Sequence, residues 1–398
     1  MLCLIKGTQM QAITNTYDLK ALHKKRTPKM FYDYAESGSW TEQTFRENVD
    51  DFSKIRLRQK VAVDMSNRST KMSMLGQPAT MPVALAPIGM LGMQHPDGEI
   101  LAAQAAEAFG VPFTLSTMSI CSIEDVAEHT SKPFWFQLYV MRDRNFIEKL
   151  IDRAKAAKCS ALVLTYDLQI LGQRHKDIKN GLSAPPKPTL MNLINTASKL
   201  RWVKSYLATK RREFGNIVGH AQNVTDMANL SAWTAEQFDP NLNWDDVAWI
   251  KKRWGGPLII KGILDVEDAK RAVQTGADAL VVSNHGGRQL DGALSSIRML
   301  PDIIDAVGDQ IEVHFDGGIR SGQDVLKAIS MGAKGTMIGR AFVHGLGAMG
   351  KDGVTSALDV IYKELDTTMA LCGERELKNM NRSNLLIPED FRGRWEGN

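Results

Sequence analysis

The sequence has few cysteines, and no two of them stand close together. Only four of its 398 residues are cysteine, and they are far apart: Cys3, Cys121, Cys159 and Cys372. The CxxC spacing of many metal centres and thiol–disulfide sites is therefore absent. Isolated cysteines of this kind are typical of reduced, mostly buried thiols in a cytoplasmic protein. We accordingly predict no metal site.

The sequence also lacks a long hydrophobic run and a strong charge of either sign. Its longest apolar stretch, residues 81–93, is well short of the roughly 20 residues of a membrane-spanning helix. The apolar patch Met1–Ile5 is too short for the core of a signal peptide. A net charge of +4 does not by itself indicate a nucleic-acid partner, and we expect none. Attachment to a membrane surface stays open.

Short apolar segments alternate with helical patterns along most of the chain. Several are continuously apolar, as expected of parallel strands that are buried on both faces. The eight segments are Met81–Pro87, Pro112–Thr117, Pro133–Tyr139, Ala161–Asp167, Pro257–Gly262, Ala279–His285, Glu312–Gly318 and Gly335–Arg340. The helical patterns between them include Gly98–Phe109, Asn145–Ala157, Val266–Thr275 and Ser321–Met331. This alternation predicts an α/β fold, a (β/α)₈ TIM barrel.

The remaining segments are assigned around that barrel. We expect residues 1–80 to form an N-terminal helical extension, with helices near Ala12–His23 and Thr27–Gly38. The barrel would occupy residues 81–375, with a long insertion after its fourth strand at about 176–245. Residues 376–398 would be a C-terminal tail.

Polar residues stand where the predicted strands end. In such barrels the carboxyl ends of the strands form the catalytic face. A single polar residue at a strand end is often only part of a turn, but convergence of many at one face favours a site. These strand ends carry Gly89, Ser116, Gln137, Tyr139, Thr165, Asp167, Lys261, His285, Asp316–Gly318 and Gly339–Arg340.

The end of the sixth predicted strand is the most informative of these. There the sequence reads Ser-Asn-His-Gly-Gly-Arg-Gln from Ser283 to Gln289. It places a potential base, His285, three residues from a fixed cation, Arg288, in a turn where glycines allow close backbone approach. A base beside an anion-binding arginine suits proton abstraction next to a carboxylate.

The last two strand ends favour a phosphate-bearing ligand. Asp316–Gly318 and Gly339–Arg340 lie where TIM barrels commonly bind phosphate through backbone N–H groups and a cation. Nearby, residues 345–350 read Gly-Leu-Gly-Ala-Met-Gly and match a dinucleotide-binding fingerprint. No second strand follows that stretch, so we reject a dinucleotide fold and interpret the glycines as a turn after strand eight.

These residues resemble a known family. The Ser283–Gln289 block, Phe136–Val140 and Thr114–Thr117 are similar to the FMN-dependent 2-hydroxy-acid oxidases and dehydrogenases, and the resemblance extends from about Tyr17 to Pro388. Within the family the chain most resembles the bacterial respiratory L-lactate dehydrogenases, through residues 249–257, 261–265 and 289–296.

The resemblance implies a set of roles. His285 would take the substrate proton, and Asp167 would stabilise the imidazolium that results. The implied catalytic residues are His285, Asp167, Tyr139 and Tyr34. The implied substrate-binding residues are Arg288, Arg174, Tyr34, Tyr139, Gly89 and Met118. Whether a hydride moves directly or a carbanion forms first is left open by these residues.

The resemblance also implies an FMN site. Lys261 would lie at the flavin N1–O2 edge, where a positive charge favours the anionic reduced flavin. Ser116, Gln137 and Thr165 would hydrogen-bond the isoalloxazine. The ribityl chain and the phosphate would be held by Asp316, Gly318, Arg320, Gly339 and Arg340.

Two departures from the family pattern concern substrate geometry. Gln169 stands where the family usually has proline, which leaves the placement of the loop that carries Arg174 open. Gly89 replaces the alanine usual in the oxidases, which makes room for a side chain larger than that of glycolate. Met118 would line the same pocket with an adaptable apolar side chain.

The insertion combines apolar residues with a run of cations. Leu193, Ile194 and Trp202 are its expected membrane anchors, and no acid appears near its cations before Glu213. Those cations are Lys187, Lys199, Arg201, Lys204, Lys210, Arg211 and Arg212. This pattern fits an interfacial helix, and equally a mobile lid or a subunit contact.

We therefore expect an FMN enzyme that oxidises an L-2-hydroxy acid, most simply L-lactate, to the 2-oxo acid and passes electrons to membrane quinone. The alternatives are an oxidase that forms H2O2 from O2, a mandelate-type dehydrogenase, and a catalytically silent flavin- or phosphate-binding barrel. By analogy with the family, the chain would form a homo-oligomer, a tetramer. It would be cytoplasmic and peripheral on the inner face of the cytoplasmic membrane.

Overall fold

Eight parallel strands form a closed barrel. The structure, a computed structural model, describes residues 12–182, 189–221, 224 and 237–392. The barrel strands are β4 Val83–Leu85, β5 Thr114–Ser116, β6 Trp135–Leu138, β7 Ala161–Thr165, β8 Leu258–Ile263, β9 Ala279–Val282, β10 Glu312–Asp316 and β11 Gly335–Ile338. Each pairs in parallel with its neighbour, β11 returns to β4, and a bridge between Leu85 and Phe113 closes the ring. The predicted (β/α)₈ barrel is confirmed.

The strands begin close to the predicted positions; seven of the eight end earlier than predicted, and β8 ends one residue later. The predicted segment Ala279–His285, for example, is a strand only as far as Val282. His285 itself has φ 58°, the left-handed region, so the backbone has already left the extended conformation there. The polar residues at the strand ends therefore lie in turns above the barrel.

Helices surround the barrel and follow the predicted pattern within a few residues. They are α5 Gly98–Phe109, α6 Ile123–His129, α7 Arg144–Ala156, α11 Trp244–Trp254, α12 Val266–Gln274, α13 Ser296–Val307, α14 Gly322–Ser330, α15 Arg340–Met349 and α16 Lys351–Leu371; a short α4, Leu91–Gln94, precedes α5. Side-chain caps start several of them. Ser321 accepts from the N–H of Asp324 and the Asp324 carboxylate accepts in return, which satisfies two otherwise unpaired donors.

The glycines of residues 345–350 do not form the predicted turn. All but Gly350 lie within α15, which runs to Met349. A Cβ on Gly345 would lie 2.2 Å from the carbonyl oxygen of Gly353, and one on Gly347 would lie 2.0 Å from the His23 ring. These glycines therefore let α15 pack closely against its neighbours. Packing explains why glycine stands there, and a local sequence pattern does not reveal such contacts.

The N-terminal extension packs on the barrel along much of its length. It contains α1 Thr16–Arg26, α2 Lys29–Ala35, α3 Gln43–Lys54, β1 Arg56–Leu57, β2 Met72–Met74 and β3 Gln77–Ala79. Met74 and Ala79 of the β2–β3 hairpin join the apolar interior of the barrel, together with Trp135 and Met337. In the tail, β12 Leu385–Leu386 pairs with β1.

The insertion packs against the rim of the barrel. Its described helices are α8 His175–Lys179, α9 Leu190–Ala197 and α10 Leu200–Ala208. After them, a bridge between Phe238 and Met141 brings the chain back to the third strand's loop. Lys187, one of the predicted cations, lies outside the described residues, as do residues 1–11 and 393–398.

Two expectations for the insertion are wrong. Trp202 is only 8% exposed, and its indole donates to the carbonyl of Met93 at 3.0 Å, so it anchors α10 to the barrel and not to a bilayer. Arg211 forms ion pairs with Asp97 and Asp125, at 3.2 and 2.7 Å, so it is no free surface cation. Both side chains serve internal packing.

An apolar face remains exposed on the same helices. Its residues are Leu190, Met191, Leu193, Ile194, Leu200 and Leu207, each more than half exposed. We call these six residues the insertion face. Within the part of the chain that is described, no helix is both long enough and apolar enough to cross a bilayer.

Candidate active site

A histidine and a carboxylate meet at the centre of the catalytic face. His285 Nδ1 lies 2.9 Å from Asp167 Oδ1, although the two residues come from different strand ends. Burial raises the pKa of Asp167, but His285 and Lys261 lower it by more, so the group stays a carboxylate. Because Nδ1 faces the carboxylate, Nε2 is the ring nitrogen left to act as a base.

A pair of buried amides fixes the loop that carries His285. Asn48 Nδ2 donates to Asn284 Oδ1 at 2.8 Å, and Asn284 Nδ2 donates to Asn48 Oδ1 at 2.9 Å. The N–H groups of Gly287 and Ser296 donate to the same two amide oxygens. Sequence reasoning missed this contact. Asn284 stands inside the conspicuous heptapeptide, but nothing local marks Asn48.

Two arginines face one tyrosine. The guanidinium carbons of Arg288 and Arg174 lie 4.8 and 5.8 Å from the ring centre of Tyr34. Arg288 Nη1 also donates to the carbonyl of Tyr34 at 2.6 Å, and Arg174 Nε donates to Asp177 at 2.6 Å. Despite Gln169, the loop thus brings Arg174 to the side of Arg288. Two neighbouring guanidinium groups form a site for an anion.

Tyr139 borders the same space. Burial and the charge of Asp167 raise its pKa, so its hydroxyl stays protonated and can donate. Phe238, from the returning end of the insertion, lies edge-on to the Tyr139 ring, with 6.4 Å between ring centres. The insertion therefore contributes a wall to this region, which the sequence did not reveal.

Gly89 and Met118 lie together, as expected from the resemblance. A Cβ built on Gly89 would come within 3.2 Å of the Tyr34 hydroxyl and 3.3 Å of Met118. The absent methyl therefore leaves space beside the tyrosine that faces both arginines.

The residues assigned to the flavin ring leave polar atoms without partners. The Ser116 hydroxyl donates to Gln137 Oε1 at 3.0 Å, so the amide nitrogen of Gln137 points away from Ser116. Gln137 Nε2 and Thr165 Oγ1 are buried and have no hydrogen-bond partner among the described residues. Such atoms are costly unless a ligand satisfies them. A flavin ring, with donors and acceptors along one edge, fits them.

Lys261 is held by two groups at neighbouring strand ends. Its Nζ lies 2.6 Å from Asp316 Oδ2 and 2.9 Å from Ser283 Oγ, and Ser283 in turn donates to Asp316. Lys261 is almost fully buried, so this pairing keeps a cation fixed at the catalytic face. Ser283 is a residue whose part in the site sequence reasoning did not assign.

The residues assigned to phosphate lie at the seventh and eighth strand ends. Helix α15 begins at Arg340, directly after Gly339, and has no side-chain cap, which is the arrangement of helix N-termini that bind anions. Burial and nearby Arg320 lower the pKa of Arg340 to about 9, so an anion between them would be stabilised. Gly318 contacts α3, since a Cβ there would lie 1.8 Å from Asn48 O.

The carbonyls at the end of α2 accept hydrogen bonds from three cations, two of which belong to the site. Arg288 donates to the carbonyls of Tyr34 and Ser37, Arg340 to those of Ala35 and Ser37, and Lys176 to that of Glu36. Carbonyls at a helix C-terminus carry partial negative charge and attract cations. We call the four carbonyls of residues 34–37 the α2 carbonyl cluster. Arg340, assigned to phosphate, thus also braces this cluster.

Comparison with known proteins agrees with this geometry. The chain is 45% identical over 375 residues to an L-lactate dehydrogenase of Azorhizobium caulinodans, across 94% of this chain and 98% of that protein. It is 43% identical over 378 residues to an L-lactate dehydrogenase of Ectopseudomonas mendocina, across 95% and 99%.

Solved structures show the same architecture. A monotopic membrane protein, (S)-mandelate dehydrogenase, superimposes with a TM-score of 0.90 at 34% identity, across 95% of this chain and 100% of that one. A mandelate oxidase bound to (S)-2-phenylpropionate gives a TM-score of 0.79 at 33% identity, across 94% and 98%.

A family description matches most of the chain. Residues 23–387 fit the family described as FMN-dependent dehydrogenase, which confirms the predicted cofactor, FMN, and the predicted class of enzyme. With a histidine–carboxylate pair, two arginines and unpartnered polar atoms at one face of the barrel, and with these relatives, the chain belongs to the FMN-dependent dehydrogenase family.

Proposed function

We propose that the enzyme oxidises L-lactate to pyruvate. The observation that carries this proposal is the His285–Asp167 pair, which lies at the same face as Arg288 and Arg174 around Tyr34. A base beside an anion site suits a small acid that bears its hydroxyl next to the carboxylate. Two relatives that are named L-lactate dehydrogenase support the same substrate.

Each side chain then has a definite task. Arg288 and Arg174 bind the substrate carboxylate and orient the adjacent carbon. Tyr139, kept protonated, donates to the substrate hydroxyl oxygen. His285 Nε2 takes the hydroxyl proton, and Asp167 stabilises the imidazolium that forms. When bound, FMN would supply the acceptor for the two electrons and the hydrogen that leave the substrate carbon.

The groups around FMN follow the same proposal. Gln137 Nε2 and Thr165 Oγ1 would bond the ring, since both lack a partner. Lys261 would place its charge at the flavin, held by Asp316. Arg320, Gly339 and the start of α15 would hold the phosphate, and Gly318 would let the ribityl chain pass.

Mandelate is the second candidate substrate. Gly89 leaves room beside Tyr34 and Met118, and two solved neighbours act on or bind aromatic acids of this kind by name. Anaerobic bleaching of the bound flavin by a panel of 2-hydroxy acids separates the two. We expect L-lactate to give the highest ratio of flavin-reduction rate constant to substrate Kd, and D-lactate not to bleach the flavin at all. A preparation that no 2-hydroxy acid bleaches contradicts the proposed activity.

We further propose that the enzyme sits on a membrane surface and reduces quinone. The insertion face exposes six large apolar side chains on two short helices, which is unusual for a free surface. Cations of the insertion would add attraction to anionic lipid, on the order of 1 kcal/mol each near the surface. A structural neighbour described as a monotopic membrane protein supports this reading.

The membrane proposal has a matched test. In one variant Leu193 and Ile194, each 56% exposed, become Gln; in the control Leu371 and Leu386, 55% and 56% exposed, become Gln. We expect the first to lose co-sedimentation with anionic liposomes at low salt, and the control to keep it. Equal binding of both variants, or no binding of the wild type, would assign the face to a subunit contact or a lid.

The electron acceptor and the assembly need separate measurements. Under air, the purified enzyme should form little H2O2 while it reduces a quinone analogue readily without oxygen. The reverse result would identify an oxidase. For the assembly we propose a homotetramer, which light scattering in detergent would test.

A further inference from the structure

One side chain joins two loops of the catalytic face. Gln289 has no part in the reaction as described above, yet all of its amide is engaged. Its Oε1 accepts from the N–H of Gly172 at 3.0 Å, and its Nε2 donates to the carbonyls of Asp167 and Ile170, at 2.7 and 2.8 Å. These three partners lie in residues 166–174, between β7 and α8. We call this segment the Arg174 loop.

Burial of apolar side chains holds only the first part of the Arg174 loop. Leu168 is 9% exposed, whereas Ile170 is 74% and Leu171 is 48% exposed. Side chains that stay in solvent gain little from the hydrophobic effect. The position of the outer part therefore depends largely on hydrogen bonds, and two of the three bonds of Gln289 are made there, at Ile170 and Gly172.

The outer part of the loop lies directly against the backbone that carries Arg288. A Cβ on Gly172 would lie 2.6 Å from the carbonyl oxygen of Arg288 and 2.9 Å from the Cα of Gln289. Glycine permits this close approach of two backbones. Because Gln289 bonds Gly172 and also Ile170, two residues earlier, it fixes the contact in one alignment.

Electrostatic repulsion acts against this contact. Arg174 and Arg288 face the same ring, that of Tyr34, and like charges at such a separation repel. Burial lowers the pKa of Arg288, and the charge of Arg174 lowers it further. Asp177, which accepts from Arg174, offsets part of the repulsion. Until a substrate carboxylate binds, contacts within the protein must supply the rest, and the neutral amide of Gln289 makes three of them.

We propose that Gln289 is a positioning residue, whose three hydrogen bonds keep Arg174 beside Arg288 in advance, so that one substrate carboxylate can bind both. Preorganisation of this kind lowers the cost of binding. Asp167 depends less on Gln289, since it follows β7 by two residues and its carboxylate bonds His285. The inference rests on the roles proposed above for the two arginines.

The first test separates substrate binding from the chemical step. Anaerobic stopped flow of the holoenzyme gives the Kd for L-lactate and the rate constant of flavin reduction, kred. Gln289→Met keeps the length of the side chain and removes all three bonds. We expect the Kd to rise about tenfold, the lower end of the effect of one charge-assisted hydrogen bond, with a much smaller change in kred.

The second test asks whether the effect passes through Arg174. In an Arg174→Met background Gln289 has no guanidinium left to align, so adding Gln289→Met should lower kred/Kd by less than about twofold. A general loosening of the loop would instead lower it by the same factor in both backgrounds. The control is Gln104→Met. Gln104 donates to the carbonyl of His129 at 3.1 Å, at the surface and outside the site, so this variant should behave as wild type.

Three results overturn the inference: an unchanged Kd in Gln289→Met, a fall in kred without a rise in Kd, or an equal loss in both backgrounds. If Gln289→Met does not fold, Gln289→Asn takes its place, since it keeps an amide but is one methylene shorter and should raise the Kd similarly.

The proposed function can fail separately. Wild-type flavin that L-lactate does not reduce would contradict the proposed activity. Titration with pyruvate, followed by flavin absorbance, then tests Gln289 alone, because pyruvate carries the carboxylate but no hydroxyl hydrogen. Its Kd should rise about tenfold in Gln289→Met, as for lactate, and an unchanged value would refute the role of Gln289.

Discussion

Replacing the Arg288 guanidinium tests the carboxylate site most directly. Its Nη1 donates to the carbonyls of Tyr34 and Ser37, at 2.6 and 3.2 Å, which fixes the group above the Tyr34 ring. Lysine keeps the charge but loses the planar pair of donors. One charge-assisted hydrogen bond contributes about 1.5–3 kcal/mol. Arg288→Lys should therefore lower kcat/KM for L-lactate about 10- to 150-fold.

Lactamide isolates the part of this loss that comes from the carboxylate. Because the amide carries no negative charge, Arg288→Lys should change its kcat/KM far less than that of lactate. The assay is anaerobic dye reduction with both substrates and both enzymes. Arg68→Lys is the control. Arg68 donates two hydrogen bonds, of 2.8 and 2.6 Å, to Asp366 at the surface, so this variant also loses a planar pair of donors but lies outside the site. If wild type oxidises lactamide as fast as lactate, or the variant loses both equally, Arg288 does not bind the carboxylate.

Three further substitutions test the remaining roles. His285→Gln should retain FMN and slow flavin reduction in stopped flow by about 10²–10⁴-fold, and near-normal turnover would place the base elsewhere. Thr165→Val should raise the Kd for FMN about tenfold by removing one hydrogen bond, measured by equilibrium dialysis; an unchanged Kd would show that Thr165 does not contact the flavin. Gly89→Ala adds a methyl within about 3.3 Å of Tyr34 and Met118, so it should raise KM for mandelate more than for lactate; equal effects would place the substrate side chain elsewhere.

The barrel was predictable because its strands have a local signal. Ala161–Thr165 is buried at every position and is apolar as far as Leu164, as expected of a buried parallel strand. The helix Gly98–Phe109 has the predicted ends, since Gly110 in a left-handed conformation stops it. Seven of the eight strand ends were placed too late, because polar residues that follow a strand lie in turns and periodicity does not separate these turns from the strand.

Contacts between distant residues could not be predicted in this way. Asn48 and Asn284 are 236 positions apart, and either one alone reads as an ordinary surface amide. Trp202 is of a residue type expected in a membrane anchor, but its indole N–H donates to the carbonyl of Met93. The α2 carbonyl cluster consists of backbone atoms, so no side-chain pattern marks it.

The α2 carbonyl cluster has a consequence for synthesis of the chain. Tyr34 and Ala35 leave the ribosome early, but their partners Arg288 and Arg340 follow about 250 to 300 residues later, at separations of 254 and 305. Until then α2, at seven residues, is too short to be a stable helix by itself. The nascent chain therefore cannot assemble a substrate site in parts. Products truncated before Arg340 lack a partner of this cluster and should be inactive, so we expect activity to appear during translation only when the barrel is complete.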